Sequence, residues 1–111
     1  MLRKRIPLLA AAVLIGLSVA PARADDPLTL KIENHKFTPA ELKVPANKRV
    51  SIYVENADDT PEEFDSTALK VEKVIQGKSK GLIRVGPLKP GRYEFMGEFH
   101  EETAKGVVIA E

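Results

Sequence analysis

"YEFMGEFHEETAKGVVIAE", Tyr93 to Glu111, carries most of what the chain says about its fold. Tyr93 and Phe95 alternate with Glu94 and Met96, as in a strand with one buried face. The strand ends at Gly97 and is followed by His100, which has Glu98, Glu101 and Glu102 around it. A second apolar run, Val107 to Ala110, follows at once. The segment therefore reads as two strands joined by a short loop that bears an imidazole and several carboxylates. In an exported domain such a loop is a candidate metal loop, and it contains no sulfur ligand.

Upstream the same grammar continues. Pro90-Gly91 is a turn signal, and "GLIRV" before it predicts a strand near Leu82 to Val85. Leu28, Leu30 and Ile32 alternate with Thr29, Lys31 and Glu33, and Val50, Ile52 and Val54 do the same before a polar loop at Ala57 to Pro61. "FTPAELKVPANKRV" contributes two prolines, an alternation at Leu42 and Val44, and a turn at Pro45 to Lys48. "STALKVEKVI" fits a strand with a turn near Thr67 to Leu69, and also a short helix with Ala68, Val71, Val74 and Ile75 on one face; the strand is favoured. Several short strands at this spacing predict an all-β, antiparallel sandwich or barrel.

The N-terminus sets the expected compartment. Leu2-Arg3-Lys4-Arg5 is a basic segment, Ile6 to Ala20 is apolar and uncharged, and Pro21-Ala22-Arg23-Ala24 supplies small residues at a cleavage position. This order predicts a secretory signal peptide over residues 1–24 and an exported, periplasmic domain over 25–111. The apolar run is shorter than the ~20 residues of a membrane-spanning helix. Removing Arg3, Lys4, Arg5 and Arg23 from the 17 basic residues leaves 13 against 16 acidic ones, a net charge of −3. A mildly acidic domain without a basic cluster argues against nucleic-acid binding. The chain has no cysteine, so disulfides, thiolate catalysis and cysteine-based zinc sites are excluded. Its two histidines sit in no nucleophile motif, there is no Gly-rich phosphate loop, and tryptophan is absent.

In order and spacing, "FTPAELKVPANKRVSIYVEN" and "LKPGRYEFMGEFH" followed by "GVVIAE" resemble the opening and closing segments of cupredoxins, the blue-copper domains with a Greek-key β-sandwich fold. The resemblance implies that fold over nearly all of residues 25–111. It also shows where this chain departs from the family. His100 falls on the loop histidine, Gly97 stands where the cysteine would be, and Ala104 or Lys105 stands near the methionine. The first histidine is replaced within "DDTPEEFDS" by Glu62 or Glu63. A blue centre needs copper–thiolate bonding, so none is expected. "NADDTPEEFDSTALKVEKVI" and "GEFHEETAKGVV" look more like the EfeO-type cupredoxin-like domains. That resemblance implies metal binding by carboxylate, histidine and methionine, an iron or copper ion as cofactor, and a role in iron uptake beside a membrane iron permease and other periplasmic components.

The candidate ligands are then His100, Glu63, Glu62, His35, Met96, Glu98 and Glu101. Carboxylate and imidazole donors suit Fe, Mn, Cu(II) or Zn, and thioether sulfur suits Cu(I). Glu63 is weighted slightly above Glu62 because it directly precedes Phe64, although strand parity aims Glu62 inward if Phe64 is buried. His35, two residues before Phe37, is expected near the ligand end. Met96 is the only methionine outside the leader, and parity puts it opposite Phe95 and Gly97. Three functions compete: an accessory protein for iron uptake that presents Fe(II) or helps oxidise it, a copper carrier, and a metal-free module that docks through its acidic end.

Overall fold

The structure is a computed structural model and describes residues 27–111. The leader expected over residues 1–24 and the cleavage before Asp25 lie outside the described residues. Nine strands follow in chain order: β1 (Leu28–Glu33), β2 (Lys36–Thr38), β3 (Glu41–Val44), β4 (Val50–Asn56), β5 (Glu62–Ser66), β6 (Val71–Ile75), β7 (Ser79–Val85), β8 (Gly91–Gly97) and β9 (Lys105–Ala110). They form a four-stranded sheet ordered β2-β1-β4-β7 and a five-stranded sheet ordered β3-β9-β8-β5-β6. The architecture is a β-sandwich. Among the described residues no helix is long and apolar enough to cross a membrane.

The expected alternations become burial. Leu30 and Ile32 of β1 and Ile52 and Val54 of β4 are fully buried, while their sequence neighbours are partly or fully exposed; in β9 both Val107 and Val108 are buried. Fully burying one such side chain contributes roughly 1.5–3 kcal/mol, and a cysteine-free domain depends on this term. Pairing departs from the antiparallel expectation at two places, because β1 runs parallel to β4 and β3 runs parallel to β9. The chain turns back at β2, crosses to the other sheet as β3, and returns as β4 in the direction of β1. Alternation along a strand does not encode the direction of its neighbour, so this feature of the sandwich had no local signal.

"STALKVEKVI" resolves into a turn followed by β6. Ser66 Oγ accepts the Leu69 N–H at 3.0 Å and donates to Glu94 O at 2.6 Å, fastening the turn to β8. A helix would have surrendered the pairing of Val71 to Ile75 with β5.

Three phenylalanines tie the two sheets together beneath one end of the sandwich. Phe37 (β2) meets Phe95 (β8) edge-on, with centroids 4.8 Å apart, and Phe95 stacks on Phe64 (β5) at 4.9 Å. All three are buried. In a strand residues two apart share a face, so Glu62 and Gly97 lie on the inner side beyond Phe64 and Phe95. His35 enters the same region from the turn just before β2.

Candidate functional site

The site is assembled from the ends of four segments. Glu62 opens β5 and points inward, as the buried–exposed alternation of that strand requires. The residue is almost fully buried, at 1% exposure, and both carboxylate oxygens are engaged. Oε1 accepts the backbone N–H of Phe99 at 2.8 Å and of Glu63 at 3.0 Å. Oε2 lies 2.5 Å from Nδ1 of His100. A buried carboxylate without such partners would carry a large desolvation cost.

His100 ends a single turn of 3-10 helix over Glu98–His100. Its carbonyl accepts the N–H of Thr103 at 3.2 Å and of Ala104 at 2.9 Å, and Gly97 N–H donates to Ala104 O at 2.8 Å. The loop thus closes on itself and folds His100 back over Gly97. Ala104 is fully buried beneath it.

His35 reaches the same place from the β1–β2 turn. Its ring stacks on that of His100, with centroids 3.5 Å apart and planes inclined by 12°. Asn34 and His35 both adopt left-handed backbone conformations, with φ of 56° and 58°. Asp58 holds this turn in place: its carboxylate accepts the N–H of Asn34 at 2.8 Å and of His35 at 2.9 Å. Burial pushes the Asp58 carboxyl up, but these two amides and the nearby histidines outweigh it and leave it below its ordinary range. Asn56, buried at the end of β4, completes the frame. Its Oδ1 accepts the Asp58 N–H at 3.0 Å, and its amide donates to Thr60 O and Ile75 O.

The other candidates lie elsewhere. Glu63 points to the outer face of the five-stranded sheet, not toward His100, because it is one residue out of phase with Glu62. There one oxygen each from Glu63, Glu72 and Glu98 come within 4.8 Å of one another. A side-chain hydrogen bond with Asp65, with repulsion from Glu63 next, pushes the Glu98 carboxyl up to about 7. Glu63 is also raised, by desolvation first and then by Glu72, Asp65 and Glu62. Met96 sits half-buried opposite Asp65 and Lys105, on the side of β8 away from the buried Phe95 and Gly97. Glu101 is exposed in the turn after His100. The structure therefore brings together Glu62, His100 and His35 and separates them from Glu63, Glu98, Glu101 and Met96.

Reasoning from the sequence did not find Asp58 and Asn56, whose roles lie in backbone contacts across loops. Their one available signal was the pair of turn-forming residues, Asn34 and His35, facing a polar loop. Gly97 is also part of the site. A β-carbon built there would lie 2.6 Å from Cδ and 2.8 Å from Oε2 of Glu62, and 2.8 Å from Cβ of Ala104. The volume into which a cysteine side chain would start is occupied by the Glu62 carboxylate. With a glycine, a carboxylate and an alanine around one imidazole, the residues present do not fit a thiolate-ligated copper centre.

The two-sheet β-sandwich is of the cupredoxin type. The chain belongs to the cupredoxin-like domain family, whose model matches residues 6–110. It is 39% identical over 104 residues to the uncharacterized protein RP394 of Rickettsia prowazekii (strain Madrid E), covering 91% of this chain and 83% of that protein. Its fold is similar to the metal-binding domain of the Cu(I)-exporting P-type ATPase CopA of Streptococcus pneumoniae D39, solved with Cu(I). The TM-score is 0.67 at 18% identity, over 83% of this chain and 91% of that one. It is also similar to a heme-copper terminal oxidase dimer, with a TM-score of 0.64 at 18% identity. That match covers 78% of this chain and 65% of the oxidase chain.

Proposed function

We propose that this protein is an exported accessory that binds a transition-metal ion at the His100 end of the sandwich and serves iron uptake, passing the ion toward a membrane iron permease. The observation that carries the metal-binding part is the close pairing of Glu62 with His100 beside Gly97, the residue that the resemblance to cupredoxins sets where the copper-binding cysteine would be. Among the described residues, nitrogen and oxygen are the only donors around His100, and they suit Fe, Mn, Cu(II) or Zn rather than Cu(I). The iron role itself rests on the resemblance to EfeO-type domains. Hard anionic groups near the site favour the more highly charged Fe(III), which is consistent with assistance to Fe(II) oxidation.

A second reading, a copper carrier, draws support from the Cu(I)-bearing domain of similar fold. It would need a soft donor near His100, and Met96 lies on the outer face of β8, opposite to the buried Phe95 and Gly97. The third, a metal-free docking module, is favoured by the half-exposed Phe99 beside His100. Competition dialysis of the secreted protein against Fe(II), Cu(II), Cu(I), Mn(II) and Zn(II) tests all three. Preference for iron over Cu(I), with Cu(II) giving only weak ligand-field absorption, is the expected result. Preference for Cu(I) would establish the carrier. If no ion binds tighter than it does to an unrelated acidic protein, the docking module takes first place.

A further inference from the structure

Given a metal site at His100, the hydrogen bonding of Glu62 decides which atom of the imidazole meets the ion. Glu62 Oε1 is used by two backbone amides, and Oε2 faces His100 Nδ1 at 2.5 Å. A carboxylate is an acceptor only, so in this pair the proton belongs to Nδ1. A neutral imidazole that carries its hydrogen on Nδ1 has its free lone pair on Nε2. An ion shared by Nδ1 and Oε2 would need bonds of about 2.0–2.2 Å to each. Two donors 2.5 Å apart are too close for that at any ordinary coordination angle.

We propose that Glu62 is a positioning residue and not a ligand: it holds His100 in the Nδ1–H tautomer so that Nε2 is the atom that binds a divalent transition ion. The His100 side chain is 26% exposed and that of Glu62 only 2%, so the imidazole rather than the carboxylate is within reach of an incoming ion. His35 does not converge on the same ion. Two rings stacked 3.5 Å apart with nearly parallel planes keep their lone pairs in two separate planes, and a shared ion in line with both would require one ring to leave the stack. The chain then offers one fixed nitrogen, with the remaining coordination positions left to water or to an incoming acceptor. An incomplete set of this kind suits an ion that is to be handed on.

The proposal rests on the metal-site reading, and ring-nitrogen NMR of the 15N-labelled secreted protein separates the two. Without metal, His100, identified by its loss in His100→Ala, is expected to show a protonated Nδ1 and a pyridine-like Nε2. Added Zn(II), a diamagnetic probe, should move the Nε2 resonance and leave the Nδ1 proton in place. Glu62→Gln provides the second arm. Its one carbonyl oxygen is claimed by the amides of Glu63 and Phe99, so its NH2 faces Nδ1 and should flip His100 to the Nε2–H tautomer. Zn(II) affinity should fall about 10–100-fold, the usual scale for losing an outer-sphere partner, with the backbone amide spectrum otherwise retained. A protonated Nε2 in the wild type, or loss of the Nδ1 proton on adding Zn(II), would overturn the positioning role. If Zn(II) leaves both nitrogens unmoved while the tautomer is as described, the metal-site reading fails and the hydrogen-bond assignment stands.

Discussion

Glu62 and Glu63 are adjacent and chemically identical, and the fold gives them opposite circumstances. Glu62 is buried, with three donors on its two oxygens and an imidazole among them. Glu63 stands on the outer face near Glu72 and Glu98, and desolvation first, then repulsion from Glu72, Asp65 and Glu62, makes its charge harder to hold. The inner carboxylate is satisfied by backbone amides and a histidine, whereas the outer ones stand close to one another and repel. The carboxylates thus form two groups on the two faces of β5, and only the inner one touches His100.

That contrast is easiest to break at Glu62. Replacing it by alanine strips a partner from His100 Nδ1 and from the amides of Glu63 and Phe99, and should cost about 3 kcal/mol. Glu63→Ala should stay within about 0.5 kcal/mol, as for most surface changes. Urea denaturation of both variants checks this, and equal losses would remove the distinction between the two faces. The next effect in size is Gly97→Ala. Its new methyl group meets the Glu62 carboxylate and the Ala104 methyl, both within 2.8 Å. Overpacking of this kind costs about 1–3 kcal/mol, and the same titrations would detect it, with Glu62 expected to be displaced.

Asp58→Ala comes third, because it removes the acceptor for two turn amides, worth about 1 kcal/mol each. The expected sign of specificity is weaker stacking of His35 on His100, seen as increased amide exchange at Asn34 and His35 with little change in β8. Unchanged exchange would show that the turn holds itself. The lowered Asp58 carboxyl adds a pH signature. A carboxyl depressed in the fold stabilises it above its unfolded value of 3.8, and that contribution is lost as pH falls through the lower folded value.

The smallest effect belongs to the outer cluster and has the opposite sign. Glu98 is raised from 4.5 to about 7, so the folded protein holds this proton more tightly than the unfolded chain does. Its contribution is greatest below pH 4.5 and is lost as pH rises toward 7. Thermal unfolding across that window should show stability declining with pH, and Glu98→Gln should flatten the slope and leave metal affinity at His100 unchanged. A Glu98→Gln variant that loses metal affinity would merge the two groups.

Much of this arrangement was legible in the residues. Alternation at Leu28 to Ile32, Val50 to Val54 and Tyr93 to Phe95 marked the strands, since a half-buried strand needs an apolar residue at every second position. The Phe37, Phe64 and Phe95 positions located the inner face, and parity from Phe64 already aimed Glu62 inward. The greater weight given to Glu63 relied on its adjacency to the aromatic strand, and adjacency in a strand places a side chain on the opposite face. The absence of cysteine excluded a blue centre without any structure.

The rest required the chain to be folded. The parallel β1–β4 and β3–β9 pairings depend on where distant segments cross between sheets, which no local period records. The stack of His35 on His100 joins residues from the β1–β2 turn and the β8–β9 loop, and Asp58, from a third loop, binds the backbone of that turn. Side-chain identity and alternation are properties of one strand and can be read from it. Contacts between loops at one end of a sandwich are set by how the sheets pack, and only the tertiary structure decides them.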